Sequence, residues 1–176
     1  MEMFRALEDE QLPWQQTTIY QVDERVAPAG HPDRNLTHLL AALPLAAHGC
    51  VRPMPVEDPD LEQAAERYAA ELPAQLDIVH LGIGPDGHTA SLVPGDPVLE
   101  VSDRLVAVTG EYRGRRRMTL TYPSLDAAPE IVWLVTGRDK QDAVARLLAR
   151  DTSIPAARIS SPRQLLVCDA EAAPSN

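Results

Sequence analysis

Cysteine is nearly absent from this chain of 176 residues: only Cys50 and Cys168 occur, and neither sits in a CxxC or Cys/His spacing. A disulfide framework or a zinc site therefore has no basis, and both thiols are expected to be buried and unpaired. Positive charge is also short, 16 Lys and Arg against 26 Asp and Glu, giving a net charge of -10 and a pI near 4.9. Binding to a phosphate polymer is driven by clustered Lys and Arg, so a nucleic-acid partner is excluded, whereas a small anion that needs two or three cations is not. No apolar run approaches the ~20 residues required to span a bilayer, and Met1-Glu2-Met3-Phe4-Arg5 lacks the basic head and apolar core of a signal peptide, so a cytoplasmic location and no membrane partner are expected. Internal repeats and low-complexity tracts are missing too. One domain, 1–176, is the expected organisation, and a chain of this length hides about 70% of its unfolded surface on folding.

What is present is an alternation of short Val- and Ile-rich runs with stretches of helical period, the pattern of an α/β domain with a mainly parallel sheet and helices on both faces. Strands are expected at 17–22, 78–82, 105–108, 118–121, 131–136 and 165–168, with a weaker one at 50–54. A helix is expected over 60–72, with an acidic first turn that suits the helix dipole. Another is expected over 138–150, where Val144, Leu147 and Leu148 follow the spacing of a face packed on a sheet. Pro and Gly mark loops at 27–32 and 93–97. A short helix followed by a frayed tail is expected over 170–176. The start is unusual, because Phe4-Arg5-Ala6-Leu7 reads as the middle of a helix where a doubly wound sheet opens with a strand and a glycine-rich turn.

The most informative stretch is Asp77-Ile78-Val79-His80-Leu81-Gly82-Ile83-Gly84-Pro85-Asp86-Gly87-His88-Thr89-Ala90-Ser91-Leu92. It reads as a buried strand, a glycine-rich turn and a short helical start, placing Asp86 and His88 at the carboxyl end of a strand, where open α/β sheets bind ligands. Gly82, Gly84 and Gly87 also spell GxGxxG. A dinucleotide site is nevertheless rejected, because that fingerprint needs a long helix after the third glycine and Pro94-Gly95 interrupts the chain within eight residues. Pro85 further removes an amide that a phosphate would use. The glycines permit positive φ and close approach of a substrate to the backbone. An imidazole at a helix start is held toward its neutral form, as a general base requires, and Asp86 is placed to orient it. The plainer alternatives are a hydrogen-bonded surface histidine and an Asp-Gly turn.

This segment, continued through Val93-Pro94-Gly95, resembles the signature of the 6-phosphogluconolactonases, a family that shares its Gly-x-Asp-Gly-His core with the glucosamine-6-phosphate deaminases. The Thr89-Ala90-Ser91-Leu92 continuation favours the lactonase branch. Four more segments resemble the same family in the same order: Val22-Asp23-Glu24-Arg25-Val26 with Pro28, Pro32, Asp33 and Asn35; Arg117-Met118-Thr119-Leu120-Thr121; Leu134-Val135-Thr136-Gly137-Arg138-Asp139-Lys140; and Pro155-Ala156-Ala157-Arg158-Ile159.

The resemblance implies a Rossmann-like sugar-phosphate isomerase/lactonase fold and hydrolysis of 6-phospho-D-glucono-1,5-lactone in the oxidative pentose phosphate pathway, with no metal or organic cofactor. It assigns catalysis to His88 and Asp86. Substrate binding falls to Arg25, Lys140, Gly84, Gly87, Thr89 and Arg117, with backbone amides near Gly84 and Gly87 steadying the oxyanion. Without the resemblance, Asp23, Glu24 and Arg25 read as a solvated charge cluster, and the run Arg113, Arg115, Arg116 and Arg117 as a solvated face.

The family's opening strand and Ser-Gly-Gly-x-Thr-Pro phosphate loop have no counterpart before Met3-Phe4-Arg5, so the fold is expected to be N-terminally truncated, with a sheet edge open to association in an otherwise monomeric family. A late start assignment, a trimmed chain and a degenerate paralogue each account for this, and retention of His88, Asp86, Arg25 and Lys140 favours the first. Two other activities stay open: amino-sugar phosphate deamination, and sugar-phosphate binding without turnover.

Overall fold

A computed structural model describes residues 2–174. Its strands form three small sheets. In the first, β1 (Ile19–Tyr20) runs parallel to β3 (Val51–Arg52). In the second, β4 (Val79–Leu81), β7 (Glu130–Val135) and β8 (Arg163–Cys168) are all parallel, with β7 in the middle. The third is antiparallel, with β6 (Arg117–Leu120) between β2 (Asp23–Arg25) and β5 (Val106–Val108). The mainly parallel α/β pattern is therefore found; the expected strand at 17–22 shortens to β1, and Asp23–Arg25 just beyond it forms β2 in a different sheet.

Among the described residues five α-helices connect or cover these strands: α1 (Glu2–Ala6), α2 (Asn35–Ala42), α3 (Leu61–Glu71), α4 (Tyr122–Asp126) and α5 (Gln141–Leu148). The start of α3 is set by Asp60, whose carboxylate accepts from the Gln63 amide at 3.0 Å. The helix buries Ala64, Ala65 and Tyr68. The Tyr68 hydroxyl lies 3.1 Å from each of the Gln21 and Arg52 carbonyls, tying the helix to the ends of β1 and β3. In α5 the buried side is Ala143 and Val144 with Leu147 packed beside them, while Leu148 is 59% exposed. Its first expected turn is a separate 3-10 segment, Arg138–Lys140.

Central β7 alternates half-buried and buried positions and sends Ile131, Trp133 and Val135 into the main core, where Trp133 and Tyr68 are the bulkiest fully buried side chains. A smaller cluster of Leu43, Ala47 and Val51 gathers Phe4, Leu7 and Trp14 around it. Between the facing edges of β1 and β4 lies a groove of about 860 Å³, lined by Phe4, Ile19, Leu76, Ile78 and His80 and reaching Asp23 and Arg25 at one end.

Three expectations need correction. Residues 170–174 form a turn closed by the Ala173 amide on the Asp169 carbonyl, not a helix; 175 and 176 lie outside the described residues, as does residue 1. The thiols of Cys50 and Cys168 are free but only half-buried, and Cys50 donates to the Trp14 carbonyl. No helix follows His88. Among the described residues no helix is long and apolar enough to cross a membrane.

Candidate active site

The turn after β4 is built by its own backbone. The Gly84 amide donates to the His88 carbonyl at 2.8 Å and the Gly87 amide to the Gly84 carbonyl at 2.9 Å, folding residues 84–88 into a compact loop. Gly87 sits at φ +79°, and a Cβ there would lie 2.4 Å from the Ile154 Cβ, so backbone conformation and packing both demand glycine. Gly84 serves the site directly: a Cβ would lie 2.1 Å from His88 Cε1 and Nδ1, which means that the imidazole rests on the bare glycine backbone.

These bonds engage the Gly84 and Gly87 amides inside the turn, so neither of these two N–H groups is free to donate to an oxyanion as the turn stands. Thr89 is buried, and its hydroxyl donates to the Gly82 carbonyl at 2.8 Å. No helix start lies beside His88 to bias its imidazole, since residues 89–92 form a turn.

Asp86 supplies the orientation instead. Its Oδ1 lies 2.5 Å from His88 Nδ1 and also accepts from the His88 amide at 3.2 Å, while Oδ2 accepts from the Tyr112 hydroxyl at 3.2 Å. Partial burial alone would raise the Asp86 carboxyl, but the hydrogen bonds from His88 and Tyr112 bring it below the ordinary carboxylate range. An ionised Asp86 is an acceptor only, so the proton belongs on His88 Nδ1 and the lone pair on Nε2 is left to take a proton.

Cations reach this dyad through strand pairing. In the antiparallel ladder Arg25 lies directly opposite Arg117, and Asp23 opposite Thr119. Two like charges face to face are unfavourable, and burial, reinforced by the charge of Arg25, lowers the pKa of Arg117. Both arginines keep a buried Nε with no hydrogen-bond partner. Arg25 spends Nη1 on the Asp33 carbonyl at 3.0 Å. The Arg117 guanidinium carbon sits 5.0 Å from the Tyr112 ring centroid, and the same ring meets His88 edge to face at 5.8 Å. Tyr112 is thus the contact between base and cation.

Behind the arginines, Ser91 Oγ donates to Asp23 Oδ2 at 2.6 Å and Asn35 Nδ2 to Oδ1 at 3.0 Å; the Ser91 amide also donates to Thr119 Oγ1. Burial pushes the Asp23 carboxyl up, against the Ser91 hydrogen bond and the charge of Arg117. Glu24 is fully buried and accepts from the Arg25, Asn35 and Leu36 amides and from Gln21, with Arg34 Nε 3.1 Å away. The Asp-Glu-Arg segment is therefore no solvated cluster. Nor is the run 113–117 a uniform solvated face: Arg117 is 5% exposed and Arg115 pairs with Asp33.

Lys140 stands apart. It ends the 3-10 turn before α5, beyond the carboxyl end of β7 and so at the same sheet edge as His88, with its ammonium ion-paired to Asp139. Among the described residues no contact joins it to His88, Asp86, Arg25 or Arg117. Tyr112, Asp23 and Ser91 are the participants that sequence reasoning missed as site residues. For Ser91 a signal existed in its place within the signature.

Residues 1–168 match the profile of the glucosamine-6-phosphate isomerases/6-phosphogluconolactonase family. A 6-phosphogluconolactonase from Synechocystis sp. is 37% identical over 84% of this chain and 66% of its own length, and one from Nostoc sp. is 33% identical over 93% and 75%. The chain thus spans about two thirds to three quarters of these curated relatives. Among solved structures, 6-phosphogluconolactonase from Thermotoga maritima superposes with a TM-score of 0.83 at 27% identity, covering 94% of this chain and 78% of that one.

Proposed function

The chain belongs to the glucosamine-6-phosphate isomerase/6-phosphogluconolactonase family, and we propose that it acts as a single-domain cytoplasmic enzyme hydrolysing 6-phospho-D-glucono-1,5-lactone to 6-phospho-D-gluconate. The observation that carries this reading is the Asp86-held imidazole of His88, joined through one tyrosine to a pair of arginines with unspent N–H groups.

A water molecule at His88 Nε2 loses a proton to the imidazole as its oxygen bonds to the lactone carbonyl carbon. The imidazolium so formed is stabilised by ionised Asp86 and returns the proton to the ring oxygen as the C–O bond breaks, yielding the acid. Such proton transfer contributes roughly 10²–10⁴-fold. Arg25 and Arg117, like charges opposed across the ladder that an anion would neutralise, take the phosphate. Lys140 holds a peripheral oxygen of the substrate from the neighbouring strand end. Gly84, Gly87 and Thr89 hold the frame on which the base sits.

The test uses freshly generated lactone, with spontaneous decay subtracted. Saturable turnover is the expected result. Decay at the spontaneous rate overturns the reading; ammonia release from glucosamine 6-phosphate would transfer the chain to the deaminase branch, and a raised Tm without turnover would make it a binding protein.

A further inference from the structure

Asp86 lies in an exposed turn, with 38% of its side chain accessible. A carboxylate held through one oxygen keeps a broad torsion about its last bond, and His88 occupies Oδ1 alone. The hydroxyl of Tyr112 at Oδ2 removes that freedom. Tyr112 is itself well anchored. It stands near the tip of the β5–β6 hairpin, where its amide donates to the Arg115 carbonyl at 3.0 Å and the Arg115 amide returns the bond at 3.3 Å. The hairpin turns through positive φ at Arg113 and Gly114. The same arm of the hairpin, two residues before Tyr112, is fastened to the loop after the signature, because Asp96 accepts from the Gly110 amide at 3.0 Å and from the Val98 amide at 2.8 Å. The ring then does two further things, packing against His88 and carrying the guanidinium groups of Arg117 and Arg113 at 5.0 and 5.1 Å from its centroid.

We propose that Tyr112 is a positioning residue that sets the base and the cation at one fixed spacing: its hydroxyl locks Asp86, and hence the His88 tautomer and orientation, while its ring holds Arg117 alongside. This rests on His88 being the base of the hydrolysis proposed above. The two contributions separate chemically. Tyr112→Phe deletes only the bond to Asp86, a hydrogen bond to a charged group whose loss costs about tenfold in kcat, and leaves the ring, so KM stays within about twofold. Tyr112→Leu also deletes the ring beneath Arg117 and raises KM severalfold in addition.

The experiment pairs these kinetics with ¹H–¹⁵N spectra of the histidine side chains, which report the His88 tautomer whether or not lactone is turned over. The expected result is a single Nδ1–H form in the unmodified chain and a mixed or shifted signal in Tyr112→Phe, at a Tm within about two degrees. Unchanged His88 signals in Tyr112→Phe overturn the proposal even if the chain proves inactive on lactone. In an active chain, so does an unchanged kcat, or a fall in kcat matched by a large fall in Tm. Absence of turnover by the unmodified chain strikes the hydrolysis reading alone.

Discussion

Replacing Gly84 with alanine separates the site from the scaffold. The glycine's φ is not positive, so alanine meets no left-handed backbone penalty there, and the nearest atoms to the added methyl belong to the side chains of His88 and Asp86, at 2.1 and 2.8 Å. Ordinary contact begins near 3.4 Å, which obliges the imidazole to retreat by more than an ångström. The clashing atoms are side-chain atoms at a partly exposed turn and not backbone, so the displacement falls on the site more than on the fold. Catalysis does not have that latitude: a misplacement of about 1 Å costs on the order of 10²-fold. Gly84→Ala is therefore expected to lower lactone hydrolysis by about two orders of magnitude while moving Tm by no more than about two degrees. The assay is the initial rate on fresh lactone, alongside a thermal melt. Full activity in a normally folded Gly84→Ala chain would refute the placement of His88 on this glycine.

Gly87→Ala should show the reverse balance, because its methyl meets Ile154 at 2.4 Å in a left-handed backbone conformation; a cost of about 1–3 kcal/mol, read as a Tm drop of roughly 3–10 °C, is expected. Glu24→Gln strands the buried Arg34 guanidinium and should cost about 3 kcal/mol in urea melts, the low end for a broken buried pair because Glu57 remains 3.7 Å away. Burial alone would raise the Glu24 carboxyl, but its bonds to Gln21 and to the Leu36, Arg25 and Asn35 amides lower it below 4.5. A folded value below the unfolded one adds stability that is complete above pH 4.5 and is lost as pH falls from there through the folded value, so Glu24→Gln should flatten the acid limb of the stability curve. Ile78→Lys, one residue before edge strand β4 and at a position 61% exposed, should reduce any concentration-dependent association seen by sedimentation.

The strands legible in the sequence were those whose own residues specify them. β4 and β7 are apolar runs, as is most of β8, and their parallel pairing agrees with α/β logic. The antiparallel sheet was not legible, because nothing local in Asp23-Glu24-Arg25 says that it pairs with residues more than ninety positions away. That pairing is what turns two arginines of ordinary appearance into one site. Asp86 and His88 were readable from their spacing after a strand, but the helix expected beyond them was not formed. Thr89 and Ser91, which would have capped or entered it, spend their hydroxyls on Gly82 and Asp23. Tyr112 escaped notice because its partner Asp86 lies 26 residues away and the intervening β5–β6 hairpin brings them together. Leu148 fits the helical spacing yet faces solvent, since α5 has already reached its last turn there.

The most direct test of the account is the kcat of His88→Ala on saturating 6-phosphogluconolactone, measured against the unmodified chain with spontaneous hydrolysis subtracted. A loss of at least a hundredfold with the fold retained is expected; an undiminished kcat would contradict a general-base role for His88.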